Sequence, residues 1–251
     1  VGNDAGRLIR ANQNTAIGSA ALRNDSTGTN NVAVGYRASY ENDTASAVTA
    51  IGTDALYYNT IDSNVAIGYR AGLFANSNAS APSRELTFVG TFAGLGSFAS
   101  SKNTAVGFRA LAQTNAVGIS TDYTNGGRNT VIGDSAMAGG MGAFNVAVGT
   151  QVMSTSGLNT LRNVAIGDSA MGNSISPVEN TAVGYKSLSR VTNLGNTATG
   201  AFSARNVTSG FWNTVNGAVA LENATSAAQN TAIGVSSFRS NISSNDNVGV
   251  G

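Results

Sequence analysis

Along most of the chain, a short run of alternating small and branched apolar residues is closed by a glycine, and polar residues fill the interval before the next run. The run reads Asn, then Thr or Val, then usually Ala, then Val or Ile, then Gly, as in NTAIG (Asn14 to Gly18), NVAIG (Asn64 to Gly68) and NTAVG (Asn180 to Gly184). Such β-branched enrichment over so few residues predicts a short strand. Three residues past the glycine stands Ala, Ser or Val, and the next residue is large and apolar in nine of thirteen units, including Met137, Met153 and Met171. That predicts a second short strand or a corner. Connectors such as NDSTGTN (Asn24 to Asn30) and ENDTAS (Glu41 to Ser46) consist of residues that turn the chain by local hydrogen bonds or tolerate positive φ.

The closing glycines are Gly18, Gly35, Gly52, Gly68, Gly90, Gly107, Gly133, Gly149, Gly167, Gly184, Gly200, Gly217, Gly234 and Gly251, and eleven of the thirteen intervals measure 16 to 18 residues. A unit of about 17 residues therefore fills the chain, and residues 1–251 read as a single continuous repeat domain. The two long intervals, of 22 and 26 residues, place insertions near 73–85 and 112–128. Two short strands and two turns per unit make one coil of an all-β, parallel β-solenoid. Helical repeats are longer and carry a 3.6 periodicity that this pattern lacks.

Each column of the repeat carries a physical demand. Asn stands four residues before the glycine in twelve of fourteen units, where it either forms a coil-to-coil ladder or serves its own turn; both readings stay open. The glycine implies a bend or a close backbone approach. Period-2 alternation puts the Thr/Val and Val/Ile columns on one face and the Ala column on the other, and both faces are apolar. We expect the Val/Ile column (Ile17, Val34, Ile67, Val106, Ile166, Ile233) inside each subunit. The Ala column (Ala16, Ala33, Ala66, Ala105, Ala147, Ala165, Ala182, Ala232) is then expected to line a close contact between copies, with a monomer bearing a bare Ala row as the alternative.

Composition narrows the function. Lys plus Arg is 14 against 13 Asp plus Glu, scattered, so no basic footprint for nucleic acid is present. With no Cys and no His, disulfides, thiolate nucleophiles, imidazole bases and the usual zinc ligands are excluded together. No apolar stretch reaches the 18 residues of a membrane-spanning helix, and no membrane insertion is expected of this segment. The chain opens on Val1 without a signal segment and reads as an internal piece of something longer.

The phrase N-[TV]-A-[VI]-G, recurring as NTAIG, NVAVG, NVAIG, NTAVG and NTVIG, resembles the head repeats of trimeric autotransporter adhesins and the repeats of phage tail fibre proteins. The longer unit, with text such as GYRA (Gly35 to Ala38), is more similar to the tail-fibre group. The resemblance covers essentially the whole chain and implies a parallel β-roll or β-helix assembled as a homotrimer, extracellular, on a cell surface or on a virion. It implies adhesion or host attachment, with a surface glycan or host receptor as partner.

Candidate chemistry is sparse, and neither an enzyme nor a cofactor is expected. Asp134 and Asp168 share the column after the glycine, two coils apart, or roughly 9 to 10 Å along the stack, the outer limit for an inverting carboxylate pair; solvated turn residues is the weightier reading. Tyr36-Arg37, Tyr69-Arg70, Phe108-Arg109 and Tyr185-Lys186 recur at one column and could stack on sugars, but they skip coils, and rings packed over the next coil with the charge in water outweigh that reading. The insertions are the better place for recognition, which singles out Asp122, Tyr123 and Arg128. Beside the fibre or adhesin reading stand a self-assembling extracellular filament or matrix protein and, weaker, an ice-binding solenoid, set back because the Thr column mixes with Val, shares a face with Val or Ile and is expected to face inward.

Overall fold

A computed structural model describes residues 2–75, 85–96, 101–112, 127–139, 142–155 and 160–251. The fold is an all-β parallel solenoid with about 17 residues per coil and no helix among the described residues. Contacts divide the chain into two compact units, Val1–Asn129 and Thr130–Gly251.

In the first unit the strands are β1 (Thr15–Ile17), β2 (Val32–Val34), β3 (Thr49–Ile51), β4 (Val65–Ile67), β5 (Thr87–Val89) and β6 (Thr104–Val106), paired in that order. In the second they are β7 (Thr130–Ile132), β8 (Gly142–Ala143), β9 (Val146–Val148), β10 (Thr160–Leu161), β11 (Val164–Ile166), β12 (Thr181–Val183), β13 (Thr197–Thr199), β14 (Thr214–Asn216), β15 (Thr231–Ile233) and β16 (Val248–Val250). There the main sheet runs β7-β9-β11-β12-β13-β14-β15-β16, and β8 pairs with β10 separately. All pairings are parallel, and like columns face like: Ala16 pairs with Ala33, and Ala165 with both Ala147 and Ala182.

Of the two readings of the segment past the glycine, a second short strand or a corner, the structure shows the corner. Residues two and four past the glycine sit at positive φ, as at Arg37 (52°), Ser39 (48°), Asp54 (55°) and Leu56 (47°), which no strand accommodates. Each such residue costs about 1 kcal/mol, offset by bonds to the coils on either side: Arg37 N donates to Ser19 O at 3.0 Å, and Ser39 N to Ala55 O at 2.9 Å.

The glycine column marks a close approach. Gly35 has φ 134°, and a Cβ there would lie 2.7 Å from the carbonyl carbon of Gly52 on the next coil. No side chain fits between backbones stacked that closely.

Asparagine serves ladder and turn together. In the second unit Asn163 Nδ2 donates to Asn145 Oδ1 at 3.0 Å, and the series continues through Asn180, Asn196, Asn213 and Asn230 to Asn247, which donates to Asn230 at 3.0 Å. The same amides reach connector carbonyls, as Asn196 does to Gly210 O at 3.1 Å. In the first unit Val48 and Leu86 interrupt the column, yet their backbone N–H groups still donate to Asn31 and Asn64 Oδ1.

Which face lies inside is the reverse of expectation. Ala33, Ala66, Ala105, Ala147, Ala165, Ala182 and Ala232 have no exposed surface, and Ala16 is half-buried. These alanines fill the coil rather than a contact between copies. The Val/Ile column faces out: Ile17, Ile67, Ile166 and Ile233 are 39% to 49% exposed, and Val34 and Val106 are half-buried. The connector residue Asp25 is fully buried, more so than any of them. The reason is volume, because the large inward side chain of each coil comes from the corner, as with Leu22, Leu56, Met137, Met153, Met171, Leu188 and Leu221, all fully buried. Opposite a Leu or Met the narrow coil has room for Ala and none for Ile.

Candidate functional site

At the corners after β2, β4, β5 and β6, aromatic and guanidinium groups form a stripe along the stack. Arg37 lies over the Tyr36 ring at 4.7 Å from its centroid, Arg70 over Tyr69 at 5.0 Å, and Arg109 over Phe108 at 6.0 Å. Asp54 joins the first two pairs. It accepts from Arg37 Nε at 2.8 Å and Nη2 at 3.1 Å, and from Arg70 Nε at 3.5 Å. This carboxylate is the first cause that holds the Arg37 guanidinium above its ordinary pKa. Phe92 closes the other gap, packed edge-on to Tyr69 at 5.3 Å and to Phe108 at 6.2 Å between ring centroids. The rings that skip coils in the sequence are therefore connected, because Phe92 reaches in from the adjacent column.

A second aromatic row lies beside the first and was not legible as one. Tyr40 stacks on Tyr57 at 4.9 Å, Tyr58 stacks on Phe74 at 5.5 Å, and Arg37 lies 5.2 Å from the Tyr57 centroid, which ties the rows together. Burial raises the Tyr57 phenol above its ordinary pKa. Five of the seven tyrosines of the chain (Tyr36, Tyr40, Tyr57, Tyr58, Tyr69) fall in this short span. That clustering was the available signal.

The second unit carries a shorter version, with Tyr185 edge-on to Phe202 at 5.0 Å, Lys186 Nζ 4.9 Å from the Tyr185 centroid and Arg205 at 5.2 Å from that of Phe202. Its corner column also holds Asp134 and Asp168, both exposed. Each accepts from the serine that follows it, Ser135 at 2.7 Å and Ser169 at 2.5 Å. That is the arrangement of solvated turn residues.

Among the residues singled out in the insertions, Asp122 and Tyr123 lie outside the described residues. Arg128 is exposed at φ 62°, and its N–H donates to Ser101 O at 2.9 Å. It occupies a regular coil position, immediately before Asn129. Among the described residues no group of His, Cys, Asp or Glu is placed to hold a metal ion, and no helix is long and apolar enough to cross a membrane.

Compared with known proteins, the chain matches no family model, no curated protein and no solved structure.

Proposed function

We propose that the chain is a structural and adhesive fibre segment, a β-solenoid shaft or head that assembles as a homotrimer and mediates attachment to a host or cell surface. Its place is extracellular, on a cell surface or on a virion, and its role is mechanical and adhesive, not enzymatic. The observation that carries the reading is the outward face of the strands. There Ile17, Ile51, Ile67, Ile132, Ile166 and Ile233 stand 36% to 49% exposed in one column. A regular apolar face of this kind is the mark of a surface that meets another, and the other apolar column is already spent inside the coil. The resemblance of the N-[TV]-A-[VI]-G repeats to trimeric fibres favours three copies. Sedimentation equilibrium tests the assembly: a trimer upholds the reading, and a monomer at every accessible concentration overturns it. Open-ended polymers seen by electron microscopy would favour a self-assembling filament or matrix protein.

One observation favours a second reading. The Thr column faces outward, and Thr181, Thr197, Thr214 and Thr231 stand side by side on consecutive coils. This removes the inward-facing objection to the ice-binding solenoid, though Val32, Val65, Val146, Val164 and Val248 still interrupt the Thr column. Thermal hysteresis of a monomeric preparation would support it, and ordinary freezing would dismiss it.

A further inference from the structure

We propose that the corner stripe of the first unit binds an acidic polysaccharide laid along the stack, its sugar rings on the aromatic faces and its carboxylates at the guanidinium groups. The inference rests on the attachment reading above and names the chemistry of the partner.

Three observations carry it. Tyr36, Tyr69 and Phe108 are 41% to 49% exposed, and Phe92 and Asp54 make the row continuous across five coils. Aromatic faces of this kind suit the C–H faces of sugar rings as they suit other apolar or cationic groups.

The charge on the stripe is one-sided. Asp54 is its one carboxylate, and that side chain is only 4% exposed, enclosed between Arg37 and Arg70, whose side chains are 34% and 41% exposed. Arg109 pairs with no carboxylate among the described residues and is exposed. Solvent therefore meets three guanidiniums against one hidden carboxylate, which complements an anionic chain and not a cationic one.

The spacing is periodic in the direction a polymer would run. Stacked strands repeat at about 4.8 Å, so a linear glycan lying parallel to the stack meets a ring or a guanidinium at four of the five coils, the fifth being that of Asp54. The corresponding column of the second unit carries Asp134 and Asp168 and would repel such a chain, which confines the site to the first.

The test is calorimetric titration of the whole chain with an oligogalacturonate and a sialic acid oligomer, with fully methyl-esterified oligogalacturonate as the neutral counterpart. The acidic oligomers should bind, more weakly as salt is raised, and the ester about tenfold less tightly, equivalent to about 1.4 kcal/mol. Arg109→Gln, and the pair Tyr36→Ser with Phe108→Ser, should each lower affinity about tenfold while sedimentation is unchanged. If the paired variant fails to fold, Arg109→Gln decides alone. No binding of either acidic oligomer by the folded parent, or binding indifferent to esterification or to Arg109→Gln, overturns the proposal. Sedimentation of the same samples keeps the two readings apart: a trimer that binds neither oligomer overturns only this inference, and a monomer that binds one overturns only the assembly.

Discussion

Phe88 and Gly94 share one space inside the first unit: a Cβ on Gly94 would lie 2.5 Å from three carbons of the Phe88 ring. In most other coils the middle residue of the strand is Ala or Val and the fourth residue past the glycine is Leu or Met, as with Ala165 and Met171. At Phe88 the sizes are exchanged, and Gly72 on the adjoining coil makes the same room, where a Cβ would lie 2.9 Å from the ring. In the second unit Phe238 and Gly249 meet with the ordinary sizes, large at the corner and small in the strand of the next coil, where a Cβ on Gly249 would lie 2.6 Å from the Phe238 ring. At Phe88 strand and corner divide one interior volume between them.

Phe88→Ala should therefore cost about 3 to 5 kcal/mol through the cavity it leaves. Gly94→Leu alone should also destabilise, because its side chain has no room beside the ring. Gly94 has φ 62°, a conformation that leucine already adopts in this column at Leu22, Leu56 and Leu111. Combined, the two substitutions should recover much of the loss. Urea denaturation of the four proteins in the cycle checks this; simple additivity would mean the two residues do not share a volume.

Asn196 is held on all sides. Its Nδ2 donates to Asn180 Oδ1 at 3.1 Å and to Gly210 O at 3.1 Å, and its Oδ1 accepts from the backbone N and the Nδ2 of Asn213 at 3.1 and 2.9 Å. Asn196→Ala should cost about 3 kcal/mol or more, since it strands several buried polar groups at once. Asn247, half-buried and donating to Asn230 Oδ1 at 3.0 Å and Asn245 O at 2.8 Å, should tolerate the same change with a smaller loss. Equal losses at both positions in a denaturant titration would show that the ladder contributes nothing beyond each local turn.

The repeat itself, the parallel stacking, the glycine approach and the asparagine column were all legible in the sequence, because each follows from the same residue returning at one spacing. The choice of inner face was not. Alternation in NTAVG separates Ala182 from Thr181 and Val183, but with both faces apolar it does not say which is enclosed. That is decided by Leu188, whose inward placement depends on positive φ in the corner, invisible to a period-2 pattern. At the candidate site, the Tyr36-Arg37 column was legible and its continuity was not, because Phe92 stands one residue out of column. Asp54 as the link between Arg37 and Arg70 was also hidden, since it shows only when the coils are laid in register.

Asp25 is fully buried, accepting from Gly28 N at 2.8 Å and Asn31 Nδ2 at 3.0 Å. Burial pushes its carboxyl above the ordinary carboxylate range, against the opposing pull of those hydrogen bonds. The folded state thus holds a proton more tightly than the unfolded state. On this account stability is greatest below the unfolded value of about 3.9, falls as pH rises from there through the folded pKa, and is level above it. Asp25→Asn should flatten that decline. Thermal midpoints of parent and variant from acid to neutral pH measure it, and parallel curves would mean that Asp25 does not titrate differently on folding.

Ala165 and Ile166 are sequence neighbours with opposite surroundings, and the two should fail in opposite ways. Ala165 is fully enclosed, paired with Ala147 and Ala182, whereas Ile166 is 40% exposed on the outer face. Ala165→Glu would bury an unpaired carboxylate in the coil and should cost several kcal/mol of folding stability, seen as loss of the strand signal in circular dichroism. Ile166→Glu leaves its charge in water in a single chain, so the fold should survive with little change in thermal midpoint. In an assembly built on that face, the same charge would be enclosed once per copy. Ile166→Glu should therefore sediment as a folded monomer at concentrations where the parent is associated. If it sediments as the parent does, the Val/Ile face is not the contact, and a single-chain solenoid with a bare outer face becomes the better description.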